Sequence, residues 1–348
     1  MCIQHAHVHL QDCTSTTSLL FHHFAFDLAQ WLYLSLFVIM ALFAIMTKND
    51  SGAYMNLIKE FDFTTWNPKI TKAKSQQAIA ALEGGYVICL PHLPFVLSED
   101  EKRFLSESWS DQKSKNISLR PQGGLRGAAG SDADLKALRA MIQRYSDQAT
   151  QLVGALFPDY VPNLVTANTS LRPFEVEGRV SSYRKDDKRL HTDAFPSNPT
   201  QGTRLLRVFN NVNPHGKPRV WRVGEPFEAM AARYLPKAKS MCPGQAWMMR
   251  KLGITKRERT PYDQLMLQLH DLVKGDMDYQ RNSPQQSVDL MPGTTWIVYS
   301  DQVLHAAMSG QYMMEQTFHL PPEALYQPET SPIKVLEAIT GESLGLAA

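Results

Sequence analysis

Between Asp132 and Phe157 apolar residues recur at helical spacing (Leu135, Leu138, Met141, Ile142, Tyr145), and this period predicts an amphipathic helix. Thr71–Glu83 predicts a second helix, and Ser98 with its acidic following turn in "SEDEKRFLS" predicts a short third. "GYVICLP", after Gly84–Gly85, is strand-like. From about residue 164 the period changes. "LVTANTSLRPFEV", "VSSYR", "RLLRVFNNVNP", "PRVWRVG" and "GTTWIVYS" are short β-branched or aromatic runs broken by Pro, Gly and Asn. A helical insert (Phe227–Leu235, Tyr262–Lys274) interrupts the last two, and "GQYMMEQTFHLP" alternates as a final strand. The Gly-rich stretch 116–131, "NISLRPQGGLRGAAGS", is expected to be a loop. Many short strands preceded by helices predict an α+β fold: a jelly-roll, double-stranded β-helix core with helical cladding.

The N-terminal pattern differs. Leu28 to Thr47 runs 20 residues without a charge, about the length of a membrane-spanning helix. Trp31 and Tyr33 suit an interfacial belt, and lysines begin only at Lys48 and Lys59. The expected organisation is therefore a tail over 1–54 with a spanning helix at 28–47, a body over 55–325, and a polar tail over 326–348. The lysine bias puts the body on the cytoplasmic side. Translation from Met55 is the alternative, and it would remove the anchor.

Composition narrows the function classes. The 348 residues carry a net charge of +2, with no Lys/Arg block of the kind a nucleic-acid surface needs. The four cysteines are scattered without a CxxC, which argues against a disulfide framework or a zinc ribbon.

The chemistry centres on "RLHTDAFP" (189–196). His191 and Asp193 lie one residue apart, and His305 follows the strand "TTWIVYS" 114 residues later. Two imidazoles and a carboxylate can occupy one face of an octahedral iron and leave three positions open. In a jelly roll, strands distant in sequence meet at the barrel mouth, so the long separation is no obstacle. From the residues alone, a zinc-dependent jelly-roll isomerase or hydrolase and a non-catalytic sugar-binding module remain open.

The stretches "SSYRKDDKRLHTDAFPSNPTQGTRLLRVFNNVNPHGKPRVWRVGEPFE", "DYQRNSPQQSVDLMPGTTWIVYSDQVLHAAMSGQYMMEQTFHLP" and "KNISLRPQGGLRGAAGS" closely resemble the Kdo hydroxylase family. The resemblance covers roughly residues 62–325. It implies an Fe(II)- and 2-oxoglutarate-dependent dioxygenase that uses O2 to hydroxylate C3 of 3-deoxy-D-manno-oct-2-ulosonic acid (Kdo). It matches His191, Asp193 and His305 to the iron ligands. The implied substrate is a Kdo-bearing lipid A precursor of the lipopolysaccharide inner core. An inner-membrane enzyme facing the cytoplasm, working at the membrane surface and associated with the Kdo transferase, would follow.

Many members of the wider superfamily hold the distal carboxylate of 2-oxoglutarate with a cation about ten residues beyond the second histidine. Gln316 stands at that place, and no Arg or Lys occurs between His305 and Leu320. A buried carboxylate needs a charged partner. Arg207, or failing that Arg204, is expected to supply it, with Tyr183 as an added hydroxyl donor and Arg184 or Arg172 next in line. Arg204 and Arg207 are three apart, so on a regular strand they face opposite sides. For the anionic sugar the candidate donors are Arg120, Arg126, Asn116 and Arg184, with Lys185, Lys188 and Arg189 nearby.

Overall fold

The computed structural model describes residues 56–178 and 181–345, all within one compact unit, Met55–Ala348. The expected spanning helix over 28–47 lies outside the described residues. Among the described residues no helix is long and apolar enough to cross a membrane.

Eleven described strands form two sheets. In chain order they are β1 (Ile58–Glu60), β2 (Val87–Leu90), β3 (Ile117–Leu119), β4 (Leu125–Arg126), β5 (Val165–Arg172) and β6 (Arg204–Asn211). There follow β7 (Arg219–Gly224), β8 (Gln285–Leu290), β9 (Thr295–Tyr299), β10 (His305–Ser309) and β11 (Met313–Leu320). The large sheet has the order β1-β2-β9-β6-β11-β5-β3-β4, antiparallel except for β1–β2. The small sheet is β10-β7-β8, also antiparallel. This pair of facing sheets agrees with the jelly roll expected.

Side-chain alternation along β6 divides the core. Leu206 and Val208 point to the outer face, where they pack with Ile297, Phe318 and the helices Lys72–Glu83 and Asp132–Leu156. Phe209 points between the sheets, against Trp221, Val223 and Trp296. The outer helices therefore shield the apolar side of the large sheet, and its other face is free to build a cavity with the small one. Both long helices begin as the sequence predicts: Thr71 and Ser131 cap them by accepting backbone N–H groups. Ser98 and Glu101 complete a capping box on the short helix Glu99–Lys102.

Several expectations need correction. The 116–131 "loop" contains the hairpin β3–β4, because Ile117 and Leu119 are buried and Ser118 pairs with Ser170 of β5. The described part of "VSSYR", residues 181–184, supplies no strand; Tyr183–Lys185 is one short 3-10 turn. The body does not stop at 325. Pro332–Thr340 is a helix whose Ile333, Val335 and Leu336 join the core of the 227–279 insert. Its composition is polar at both ends, which hides "IKVLEAI" in the middle.

Candidate metal centre

His191 and His305 are brought face to face by the backbone. They form an antiparallel bridge in which the N–H of each donates to the carbonyl of the other, at 3.1 and 2.9 Å. Directly opposed residues project their side chains to the same side, and the two imidazole centroids lie 4.8 Å apart. Asp193, two residues on, returns to that side, held by its N–H donating to Ser300 O at 2.8 Å. One donor atom from each of the three residues lies within 4.8 Å of the others. It is the only such group of three or more among the described residues.

Each ring is oriented by its second nitrogen. His191 Nδ1 sits 2.7 Å from Arg189 O, and His305 Nδ1 sits 2.9 Å from Val303 O. A carbonyl can only accept, so Nδ1 carries the proton and Nε2 presents its lone pair to the cluster. Burial lowers the basicity of both rings, and for His191 the neighbouring His305 lowers it further. For Asp193 burial works the other way and would raise the carboxyl. Arg207, the foremost opposing charge, outweighs it and holds the group well below the ordinary carboxylate range. The trio is thus two neutral imidazoles and one carboxylate, the protonation state a metal requires.

A direct test of fit comes from Asp193 Oδ2. It is buried, and no hydrogen bond reaches it, although Arg207 Nη2 lies 3.1 Å away in an ion pair. A carboxylate oxygen carries more than one lone pair, and a cation bound between the three side chains would take up what the ion pair with Arg207 leaves. Two histidines and one carboxylate on one side of an open cavity suit a non-haem iron with free positions.

The cavity holds about 190 Å³. Trp221 forms one wall and stacks on His305 at 5.0 Å and 21°. Phe195, Phe209 and Met313 complete the apolar part, and Arg172, Arg207 and Arg219 supply charge. Glu315 of β11 joins two of these arginines, meeting Arg207 Nη1 at 2.8 Å and Arg172 on its other oxygen. At the mouth, Lys115 forms an ion pair with Asp187, which offsets the burial that would otherwise raise that carboxyl and holds it at about 2. The same pair also borders an outer cavity of about 690 Å³ lined by Gln112, Ser114, Phe174, Glu175 and Lys185.

The structure therefore brings His191, Asp193, His305 and Arg207 together, and leaves most of the other candidates elsewhere. Arg204, on the opposite face of β6, is fully buried against Asp301, Gln302 and the Tyr299 ring. Gln316 likewise points to the outer face, accepting from Thr169 Oγ1 and donating to Thr317 O; on β11 it is Met313 that lines the cavity, with Glu315 on the same face paired to the lining arginines. Tyr183 is exposed beneath Arg184 and Arg189, and Arg184 pairs with Asp271 at 2.8 Å. Arg120 and Arg126 are exposed on the edge hairpin, and Asn116 is half-buried; none lines either cavity. Lys185 does line the outer one. Sequence reasoning missed Lys115, Asp187, Arg219 and Trp221. "PRVWRVG" does carry a signal for the last two, since Arg219, Trp221 and Val223 share one face of an alternating strand.

The sequence model for 3-deoxy-D-manno-oct-2-ulosonic acid (Kdo) hydroxylase matches residues 65–343. Among solved structures, the Kdo hydroxylase KdoO in complex with alphaketoglutarate and Fe(III) is 46% identical, with a TM-score of 0.80. That match covers 83% of this chain and 97% of that chain. KdoO in complex with cobalt(II) gives 45% identity and a TM-score of 0.82, covering 84% and 99%. KdoO has also been solved with succinate and Fe(III), at 45% identity and a TM-score of 0.81. No curated protein matches the chain.

Proposed function

The chain belongs to the Kdo hydroxylase family, and from that premise we propose that it is an Fe(II)- and 2-oxoglutarate-dependent dioxygenase that hydroxylates C3 of Kdo on a lipid A precursor. The observation that carries this reading is the trio His191, Asp193 and His305 in an arginine-rich cavity. Bound iron supplies the oxidation: one atom of O2 enters the sugar, the other enters succinate, and 2-oxoglutarate loses CO2. The chain's own residues hold and orient. The Nδ1 tethers fix both imidazoles, and Arg207 keeps Asp193 ionised. Trp221, Phe209 and Met313 exclude water from the reacting volume.

Both organic reactants are acids, which accounts for the cavity's charge. Arg207 is an unsuitable partner for the far carboxylate of 2-oxoglutarate. Its two terminal nitrogens already face Asp193 and Glu315, and it lies too near the metal carboxylate to meet the remote end of a five-carbon diacid. Arg219 fits better. Val223 of β7 pairs with His305, and Arg219 lies four residues along the same strand, about 13 Å at the usual rise. Its side chain lines the same cavity as the metal ligands, with Nη1 donating to Gly310 O at 2.7 Å, and a guanidinium carries five N–H donors. Losing a charge-assisted contact costs about 1.5–3 kcal/mol, so Arg219→Ala should raise the apparent Michaelis constant for 2-oxoglutarate roughly ten- to a hundred-fold with iron binding unchanged. Arg207→Ala should instead weaken iron binding, since Asp193 loses its main counter-charge. An unchanged constant in Arg219→Ala with a raised one in Arg207→Ala would reverse the assignment.

The sugar is expected in the outer cavity, with Lys115 and Lys185 toward its carboxylate. The natural setting is the cytoplasmic face of the inner membrane, where the precursor is made and the Kdo transferase works. Succinate formation tests the whole reading. It should require Fe(II), 2-oxoglutarate and a Kdo-bearing lipid together, and succinate yield independent of the sugar lipid would overturn the substrate.

A further inference from the structure

Residues 236–259 connect two parts of the helical insert and touch little of the core. Four of the twelve exposed large apolar residues among the described ones fall here within eight positions: Trp247, Met248, Leu252 and Ile254, between 51% and 67% exposed. They lie on and just after the short helix Gln245–Lys251. Scattered single apolar residues are ordinary, but a cluster of this size marks a contact surface.

Charge identifies the partner. The segment holds seven Lys or Arg against one acid, Glu258, while the whole chain carries only +2. Lys237, Lys239, Arg250, Lys251, Lys256 and Arg257 are exposed around the apolar cluster, and the Lys251 ammonium lies over the Trp247 ring at 5.7 Å. This excess is spread over 24 residues, so no contiguous basic run reveals it. A second copy meeting this face through a two-fold axis would oppose like charges. An anionic bilayer surface accepts both features: basic side chains at the headgroups, and Trp and aliphatic side chains just below them.

The same segment is tied to the catalytic loop. Lys256 N donates to Ser197 O at 2.9 Å, Arg259 Nη2 to Pro196 O at 2.7 Å, and Gln201 Nε2 to Glu258 O at 2.9 Å. Phe195, one residue before Pro196, lines the metal cavity. We infer that residues 245–257 dock the enzyme onto an anionic lipid surface, of the kind that carries a lipid-borne sugar. The substrate side of this inference rests on the function proposed above, but the docking itself does not.

Residues 55–348 suffice for the test. The crystallised relatives are covered to 97–99% of their length by 83–84% of this chain, so the fold forms without a counterpart of the first 54 residues. In that fragment Cys89 is buried and Cys242 exposed, so a polarity-sensitive fluorophore attaches at the segment itself. The labelled fragment should sediment with phosphatidylcholine vesicles containing phosphatidylglycerol, with a blue-shifted emission, and not with phosphatidylcholine alone. Raising salt should weaken it. Near an anionic surface each basic residue contributes about fivefold, so K251E/K256E/R257E should bind at least tenfold more weakly. W247S/L252S should sediment less and lose the shift, with the unfolding midpoint of both variants unchanged. No sedimentation with phosphatidylglycerol, wild-type binding by both variants, or a dimer that W247S/L252S dissociates would each overturn the docking surface. Vesicle binding without succinate formation on any Kdo substrate would leave the surface standing and remove the proposed function. Turnover of a water-soluble Kdo saccharide without vesicle binding would do the reverse.

Discussion

His305→Ala should reduce succinate formation to background and strip the protein of tightly held iron, while the fold survives. His305 donates its proton to Val303 O and presents Nε2 to the cluster, so the substitution removes one of three ligands outright. The backbone bridge to His191 uses only main-chain groups and is unaffected. What is lost besides the ligand is a stack on Trp221, a cost of about 1 kcal/mol. The metal-free proteins should also differ in pH dependence. Burial lowers the pKa of His305 in the folded state, so the unfolded chain binds the proton more readily as pH falls through its own value of about 6.5. Stability from this source is full above that value and is lost below it. Removing His305 should therefore flatten the decline on the acid side. Iron content and activity equal to wild type in purified His305→Ala would refute the triad.

The metal trio could be read in the sequence because its residue types are distinctive and their backbone setting is strand-rich. Alternation on β6 likewise separated Arg207 from Arg204, as a strand with two buried faces must. Arg172, Arg219 and Glu315 were harder. An arginine in a strand ordinarily marks the solvent side, and only the closing of two sheets shows that this face is an interior. β8, "QQSVDL", is nearly all polar, and it exists because β7 needs a partner along its free edge. The hairpin at 117–126 is hidden by its glycines, since pairing of Ile117 and Leu119 with β5 is a long-range event. Local pattern carries the elements; it does not carry which of their faces meet.

Arg204 is the clearest case of a residue whose importance lies outside the cavity, and Arg204→Ala should be among the most destabilising single changes in the body. Its guanidinium is fully buried on the Tyr299 ring, 3.9 Å from the centroid, with Nε on Asp301 at 2.7 Å and Nη2 on Gln302 at 2.7 Å. Asp301 is itself 2% exposed. Truncating the arginine leaves that carboxylate in the interior with only the Leu205 N–H donating to it, at 3.1 Å. Breaking a buried pair in this way typically costs about 3–5 kcal/mol, or a fall of roughly 10 °C in Tm for a domain of this size. The consequence reaches the metal. Residues 300–304 form the turn between β9 and β10; Ser300 O holds the Asp193 N–H, and Val303 O holds His305. Loosening the turn should weaken iron binding in Arg204→Ala even at temperatures where it stays folded, although the side chain never touches the site. Arg204→Met/Asp301→Leu separates the two effects. With both charges gone, stability should return toward wild type, whereas the turn, missing the Leu205–Asp301 bond, should still hold iron less tightly. A wild-type unfolding midpoint in Arg204→Ala would mean that the structural role assigned to this pair fails.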